Sequence, residues 1–327
     1  MEYTTLGDTG VEVSEICLGC MSFSHGGEGW TIEADQGVEI IERAIDLGIN
    51  FFDTANVYST GDSEEILGEA LSGYDRDWPV IATKVYGSMD EDNPNAAGLS
   101  RKAIEQELEN SLRRLGVDTI DLYQTHRWDY DTPIEETLGA LDDAVRRNQV
   151  RYIGTSSMWA YQFADALHAS ERLGLERFAT MQNHYSLVYR EEEREMLPYC
   201  EEQGVGVIPW SPLARGYLAR PHEELDATER GEHNAEERGD RMSIYRGGGG
   251  DEINGRVREL AAEKGVSMAQ ISLAWLLHKE WVDSPIVGVT SVEHLEDAAE
   301  AVDVDLSPNQ IEYLEEPYEP VAVSGHE

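Results

Sequence analysis

Lysine is nearly absent from this chain: Lys84, Lys102, Lys264 and Lys279 are the whole set, within 25 basic residues set against 65 acidic ones. The resulting formal charge of -40 repels phosphate backbones and anionic lipid, which excludes nucleic acid and membrane surfaces as expected partners. Cysteine is scarce too, with three residues. Cys17 and Cys20 share a Cys-x-x-Cys spacing, but on a strand residues i and i+3 face opposite sides, and Cys200 has no neighbour to complete a metal site. Neither a redox pair nor a metal centre is expected. No apolar run approaches the roughly 20 residues of a membrane helix. The opening Met1-Glu2-Tyr3-Thr4-Thr5 carries no basic or apolar leader, so the expected location is the cytoplasm.

What is abundant is carboxylate, spread along every presumed outer helix face with one short run at Glu191-Glu192-Glu193. High net charge alone reads as disorder, yet 40% hydrophobic content and regular apolar strands argue for a folded core. The composition is that of a halophilic protein in a high-salt cytoplasm. At about 1 M salt the Debye length is roughly 3 Å and screens surface carboxylates from one another, whereas at 0.1 M it is about 10 Å.

A hairpin is expected from Tyr3–Leu6 and Val11–Val13 around Gly7-Asp8-Thr9-Gly10. After it come eight candidate strands: Glu15–Leu18, Ile49–Asp53, Val80–Lys84, Thr119–Gln124, Val150–Gly154, Phe178–Gln182, Gly206–Trp210 and Ser284–Val287. Helical patterns alternate with them, for example Val38-Ile41-Ala44-Ile45 and the run Ile104-Leu108-Leu112-Leu115 stopped by Gly116. Ser100 and Ser291 stand as N-caps. This alternation predicts an α/β fold, a (β/α)8 TIM barrel with an N-terminal hairpin and an extra C-terminal helix at Asn309–Leu314. No Pro/Gly/Ser linker divides residues 1–327, which read as a single domain. The stretch 214–250, ending in Gly247-Gly248-Gly249-Gly250, reads as a long flexible loop.

Three consecutive candidate strands end on ionisable residues: Asp53, Lys84 and His126, with Tyr58 five residues past the first. In a barrel these ends are neighbours on the face that carries active sites. A buried charge is costly unless compensated, so an acid, a cation and an imidazole delivered to one rim predict a shared site. The chemistry is coherent: Lys84 lowers the pKa of the Tyr58 phenol, Asp53 keeps Lys84 charged, and His126 donates to a carbonyl oxygen whose charge grows on reduction. Singly, each residue reads equally well as a loop aromatic, a strand-end lysine or a satisfied core histidine. Their joint placement carries the prediction.

The stretches Phe51-Phe52-Asp53-Thr54-Ala55-Asn56-Val57-Tyr58, Ala82-Thr83-Lys84, Asp121 to Asp129, Gly154-Thr155-Ser156-Ser157 and Pro209-Trp210-Ser211-Pro212-Leu213 resemble the aldo-keto reductases, the general reductases of bacteria and archaea among them. That resemblance implies reversible hydride transfer between NADP(H) or NAD(H) and a small-molecule carbonyl, alcohol or sugar. It implies Tyr58 as the general acid, Asp53 and Lys84 as its tuning pair, and His126 as the group that orients substrate. It also implies cofactor contacts at Met21, Ser22, Asp53, Ser156, Ser157, Gln182, Trp210, Ser211, Leu213, Arg215, Thr290, Ser291, His294 and Asp297. NADP(H) is the family's usual choice, but Thr290 stands where many relatives carry a cation for the 2'-phosphate, so NAD(H) stays open. The substrate mouth is expected from Met21, Phe23, Trp30, Val57, Tyr86, Arg127 and Trp128, with Arg127 meeting either a substrate carboxylate or its neighbours Asp129 and Asp131.

A catalytically weak dinucleotide-binding regulatory subunit is the alternative within the same family. A Rossmann dehydrogenase is disfavoured because Leu18-Gly19-Cys20-Met21 offers no Gly-x-Gly-x-x-Gly turn, and a metal hydrolase because no His-x-His pair ends the first strand. Oligomeric state is not legible.

Overall fold

The computed structural model describes residues 1–27, 29–227 and 243–326. Strands β1 (Tyr3–Thr5) and β2 (Glu12–Ser14) form the antiparallel hairpin. Eight further strands follow: β3 (Cys17–Gly19), β4 (Phe51–Asp53), β5 (Val80–Val85), β6 (Ile120–Thr125), β7 (Val150–Ser156), β8 (Phe178–Gln182), β9 (Gly206–Val207) and β10 (Ile286–Gly288). They form one parallel sheet in the order β10-β3-β4-β5-β6-β7-β8-β9. Ile286 N–H donates to the Pro209 carbonyl at 2.9 Å and Asp283 N–H to the Val207 carbonyl at 2.9 Å. Those two bonds join the sheet's edges and close the barrel. All eight expected strands are present.

Around the sheet lie α1 (Ala34–Asp46), α2 (Asp62–Leu71), α3 (Arg101–Leu115), α4 (Ile134–Arg146), α5 (Ala160–Leu173), α6 (Met196–Gln203), α7 (Ser243–Arg246), α8 (Gly250–Lys264), α9 (Met268–Leu277), α10 (Val292–Ala299) and α11 (Pro308–Glu315). Local chemistry sets their ends. Ser100 Oγ accepts from Ala103 N–H at the start of α3, Gly116 closes it at φ 66°, and Ser291 accepts from His294 N–H at the start of α10. Of the stretch 214–250, residues 228–242 lie outside the described residues; its described parts hold short 3-10 turns at Ala214–Gly216 and His222–Ala227, then α7.

Strand periodicity sorts the core into two layers. Cys17, Phe51, Ala82, Leu122, Ile208 and Ile286 point into the barrel, where Leu6 and Val13 of the hairpin plug the floor. Their strand neighbours Leu18, Phe52, Ile81, Tyr123, Met181, Val207 and Val287 point outward under the helices. Cys17 lies in the inner layer and Cys20 in the outer one, on opposite sides as the spacing predicts, and both are free thiols. The interior is tight at Gly154, where a Cβ would stand 2.3 Å from Thr180 Oγ1 and 3.1 Å from Gln124 Cγ. Only glycine leaves room for those polar side chains, of which Gln124 reaches the Asp53 carboxylate above.

Candidate active site

The inward alternation that places Phe51, Ala82 and Leu122 in the barrel continues one step further to Asp53, Lys84 and Gln124, and from Gln124 to His126. A single period-two pattern therefore stacks the polar set on top of the apolar plug. Lys84 is fully buried and Asp53 is 2% exposed. Lys84 Nζ donates to Asp53 Oδ1 at 2.5 Å, to the Thr54 carbonyl at 2.8 Å and to the Tyr58 hydroxyl oxygen at 3.2 Å. Asp53 Oδ2 accepts from Gln124 Nε2 at 3.0 Å and Gln182 Nε2 at 2.9 Å. All three ammonium protons and both carboxylate oxygens are thus engaged, which is what a buried ion pair requires.

Tyr58 opens a tight turn, Tyr58–Gly61, in which Ser59 and Thr60 hold φ of 47° and 55°. Left-handed backbone at non-glycine residues costs of order 1–3 kcal/mol each. Here it turns the phenol back over Lys84, whose Nζ lies 4.7 Å from the ring centroid. His126 meets the ring edge-on, with centroids 5.6 Å apart and planes at 83°.

Burial works to lower the pKa of Lys84, but the Asp53 carboxylate and Tyr58 together outweigh it, so the ammonium is held above its ordinary value. Burial first, then the charges of Lys84 and Arg127, push His126 well below the usual imidazole range, which makes it a neutral hydrogen-bonding group at pH 7. For Tyr58 the expected lowering is corrected. Burial raises the phenol's pKa and Asp53 adds to it, together exceeding the downward pull of Lys84. The Asp53 charge that keeps Lys84 protonated also cancels much of its field at Tyr58.

These groups open into a cavity of about 940 Å³. Its wall includes Asp53, Tyr58, His126 and Arg127 from the ends of β4 and β6, Gln182 from β8, Trp210, Ser211, Leu213 and Arg215 after β9, and Thr290, His294 and Asp297 from β10 and α10. In a protein of charge -40, the described wall carries four arginines (Arg127, Arg215, Arg220, Arg246) against Glu33, Asp53 and Asp297. Ser211, Ala214 and Arg215, at φ of 53°, 48° and 57°, also concentrate strained backbone on its rim.

The chain matches the model of the aldo/keto reductase family over residues 15–319. The chain belongs to the aldo/keto reductase family. A Schizosaccharomyces pombe protein provisionally named an aryl-alcohol dehydrogenase is 43% identical over 348 residues, covering 99% of this chain and 97% of the relative. The versiconal hemiacetal acetate reductase of Aspergillus parasiticus is 42% identical over 343 residues, covering 99% and 98%. An aldo-keto reductase of Metarhizium robertsii is 41% identical over 353 residues, covering 100% and 93%. As a member of this family the chain is an oxidoreductase of carbonyls and alcohols.

The aldo-keto reductase barrel brings Met21, Ser22 and Trp30 to the same cavity wall. It places other expected residues elsewhere. Phe23 is fully buried in the outer core layer, against the backbone of Gly37, and Trp128 and Tyr86 pack on that layer too rather than on the cavity wall. Ser291 caps α10. Ser22 Oγ donates to the Val289 carbonyl at 2.9 Å, and Asp297 Oδ2 accepts from Ser267 Oγ at 2.7 Å. Ser156 Oγ donates to the Gln182 carbonyl at 2.9 Å, and Ser157 Oγ accepts from Trp210 Nε1 at 3.0 Å. Ser156 thus ties to β8, and Ser157 fixes the Trp210 ring.

Sequence reasoning missed how Trp210 is supported. His184 is sandwiched between Tyr189 and Trp210 with centroids 4.0 and 4.1 Å away and planes within 12° of parallel. His184 Nε2 lies 3.0 Å from the Tyr245 hydroxyl of α7, and burial lowers its pKa to about 3, so the ring is neutral. A usable signal existed: His184 is two residues past Gln182 and so shares its inward face. The carboxyl-terminal segment was missed as well. Ser324 N–H donates to Tyr189 Oη at 2.9 Å, His326 pairs with Glu192 at 3.0 Å, and a Cβ on Gly325 would stand 3.1 Å from the Trp210 ring. Nothing in its composition points to that docking.

Proposed function

We propose that this aldo-keto reductase reduces aldehydes or ketones reversibly with a nicotinamide dinucleotide, Tyr58 giving its proton to the carbonyl oxygen. The observation that supports this most is Lys84 Nζ, held between Asp53 Oδ1 at 2.5 Å and the Tyr58 oxygen at 3.2 Å, with neutral His126 at the ring edge. When bound, the dinucleotide supplies or accepts the hydride. Trp210, steadied by His184 and Ser157, offers a flat face for its nicotinamide. Ser211, Leu213 and Arg215 would take the pyrophosphate, and Thr290 and His294 the adenosine half. Thr290 Oγ1 lies 3.3 Å from His294 Nδ1, a pair that can hydrogen-bond a 2'-phosphate or a ribose hydroxyl. NADP(H) follows family habit, and the choice turns on this corner.

In the reductive direction the raised pKa keeps Tyr58 protonated and ready to donate. As its proton leaves, the Lys84 ammonium stabilises the forming phenolate. His126, neutral, donates a hydrogen bond to the substrate's carbonyl oxygen and fixes the carbonyl's orientation. The buried Asp53 and the two glutamines that hold it preset this arrangement before substrate enters. The -40 charge supports work in a high-salt cytoplasm.

The test follows absorbance at 340 nm with aromatic aldehydes and with NADH and NADPH in parallel, in molar KCl. Aromatic aldehydes come first because relatives are named for aryl-alcohol and hemiacetal chemistry. Turnover is expected, and Tyr58→Phe is expected to lose about 10²- to 10⁴-fold in kcat with dinucleotide affinity little changed. Full activity in Tyr58→Phe, or binding without turnover across carbonyls and alcohols, overturns the reading, the latter in favour of a regulatory subunit.

A further inference from the structure

Most arginines among the described residues are committed to a carboxylate. Among the described residues Arg43, Arg76, Arg101, Arg114, Arg146, Arg147, Arg151, Arg172, Arg177, Arg190, Arg194, Arg256 and Arg258 form salt bridges. Arg127 forms none of these. It is half-buried in the cavity wall beside Tyr58 and His126, with its guanidinium carbon 6.0 Å from the Trp210 ring. Its hydrogen bond runs from Nη1 to the His126 carbonyl at 2.6 Å. Neither acid expected to neutralise it, Asp129 or Asp131, forms an ion pair with it, and Asp129 is occupied: it accepts from Leu99 N–H at 2.7 Å, Thr132 Oγ1 at 2.8 Å and Asp131 N–H at 2.9 Å. Most of a five-donor fork is left over, and among the described residues no carboxylate forms an ion pair with it.

A partly desolvated cation without a counter-charge is unfavourable unless a ligand completes it, and a planar guanidinium matches a carboxylate in two-point geometry. Two anions could arrive: a dinucleotide phosphate or a carboxylate on the substrate. Arg127 directly follows His126 and neighbours Tyr58, the groups that meet the reacting carbonyl, whereas the phosphate side of the groove has its own arginine in Arg215. We propose that Arg127 receives a carboxylate of the substrate, so that the favoured substrates are aldehydes or ketones that also carry an acid group. This rests on the reductase reading above and narrows it. The anionic substrate also explains why a basic spot persists at the reaction end of so acidic a protein.

The test compares kcat/KM for 3- and 4-carboxybenzaldehyde with that for their methyl esters at fixed ionic strength, in wild type, Arg127→Met and Arg127→Lys. Wild type is expected to favour at least one acid over its ester by tenfold or more, on the order expected for a charge-assisted pair. The ratio should fall to about one in Arg127→Met and be retained in part in Arg127→Lys. A ratio avoids confusion with any general loss of activity. Binding is measured separately by titration calorimetry, with unreactive 4-carbamoylbenzoate against terephthalamide, so that the proposal is read even if neither aldehyde turns over and the reductase reading fails. Equal treatment of acid and ester by wild type overturns it, as does a preference that survives in Arg127→Met. Weakened dinucleotide binding in Arg127→Met with an unchanged ratio also overturns it and gives Arg127 to a cofactor phosphate.

Discussion

Replacing Lys84 with methionine removes one half of a fully buried ion pair and leaves the other half in place. At the observed 2.5 Å separation, the Coulomb attraction is about 7 kcal/mol for an effective dielectric of about 20, offset by several kcal/mol of desolvation for each ion. The intact pair is therefore close to neutral for stability, but a lone Asp53 is not. Its two remaining donors, Gln124 Nε2 at 3.0 Å and Gln182 Nε2 at 2.9 Å, are neutral and cannot replace the ammonium. Lys84→Met should cost about 3–5 kcal/mol of unfolding free energy, the usual penalty for orphaning a buried charge. The second substitution, Asp53→Asn, removes the orphan. The double variant Asp53→Asn/Lys84→Met should regain at least half of the loss, because the two sites share one interaction. Urea unfolding in molar KCl, with the slope checked for constancy, reads both numbers. A double variant as unstable as, or less stable than, Lys84→Met would show that the cost lies in lost packing rather than in unpaired charge. Turnover should be abolished in both variants, since Tyr58 loses its cation in each.

The pH dependence of reduction follows from the phenol. Burial raises the Tyr58 pKa above its ordinary value, so the proton donor stays loaded through neutral pH and is lost only as pH rises through that raised value. The kcat for aldehyde reduction should hold level from pH 7 to 9, and a tyrosine-dependent fall centred near pH 7 would refute the field balance described here. Thr290→Arg adds a cation beside His294 and should move the NADPH-to-NADH ratio of kcat/KM toward NADPH; an unchanged ratio places the 2'-hydroxyl elsewhere. Raising KCl from 0.1 M to 1 M should raise the melting temperature, because the -40 surface is screened over roughly 3 Å instead of about 10 Å; a constant value removes the halophilic reading.

Strand existence was legible because parallel barrel strands are short apolar runs with helices between them, and the rim residues were legible because ionisable side chains break such runs at a regular place. Strand ends were less so. Gly206–Trp210 reads as one strand but is regular only over Gly206–Val207, since beyond it the backbone turns at Ser211 to line the cavity. The expected mouth failed at Phe23 for a similar reason: an aromatic near a strand end serves the outer layer as readily as the cavity, and direction depends on the local turn.

From the sequence alone come the eight-strand alternation, the hairpin, the helix caps, and the set Asp53, Tyr58, Lys84 and His126 as one rim. These follow from local rules of period, capping and burial that act within a few residues. Tertiary structure alone decided what contacts between distant segments control. Gln124 and Gln182 converge on Asp53, the His184 stack underlies Trp210, the carboxyl-terminal segment reaches Trp210, and Arg127 has no carboxylate partner among the described residues. The Tyr58 pKa belongs with these, because the balance of burial against two opposed charges is set by ångström-scale distances that no spacing along the chain encodes.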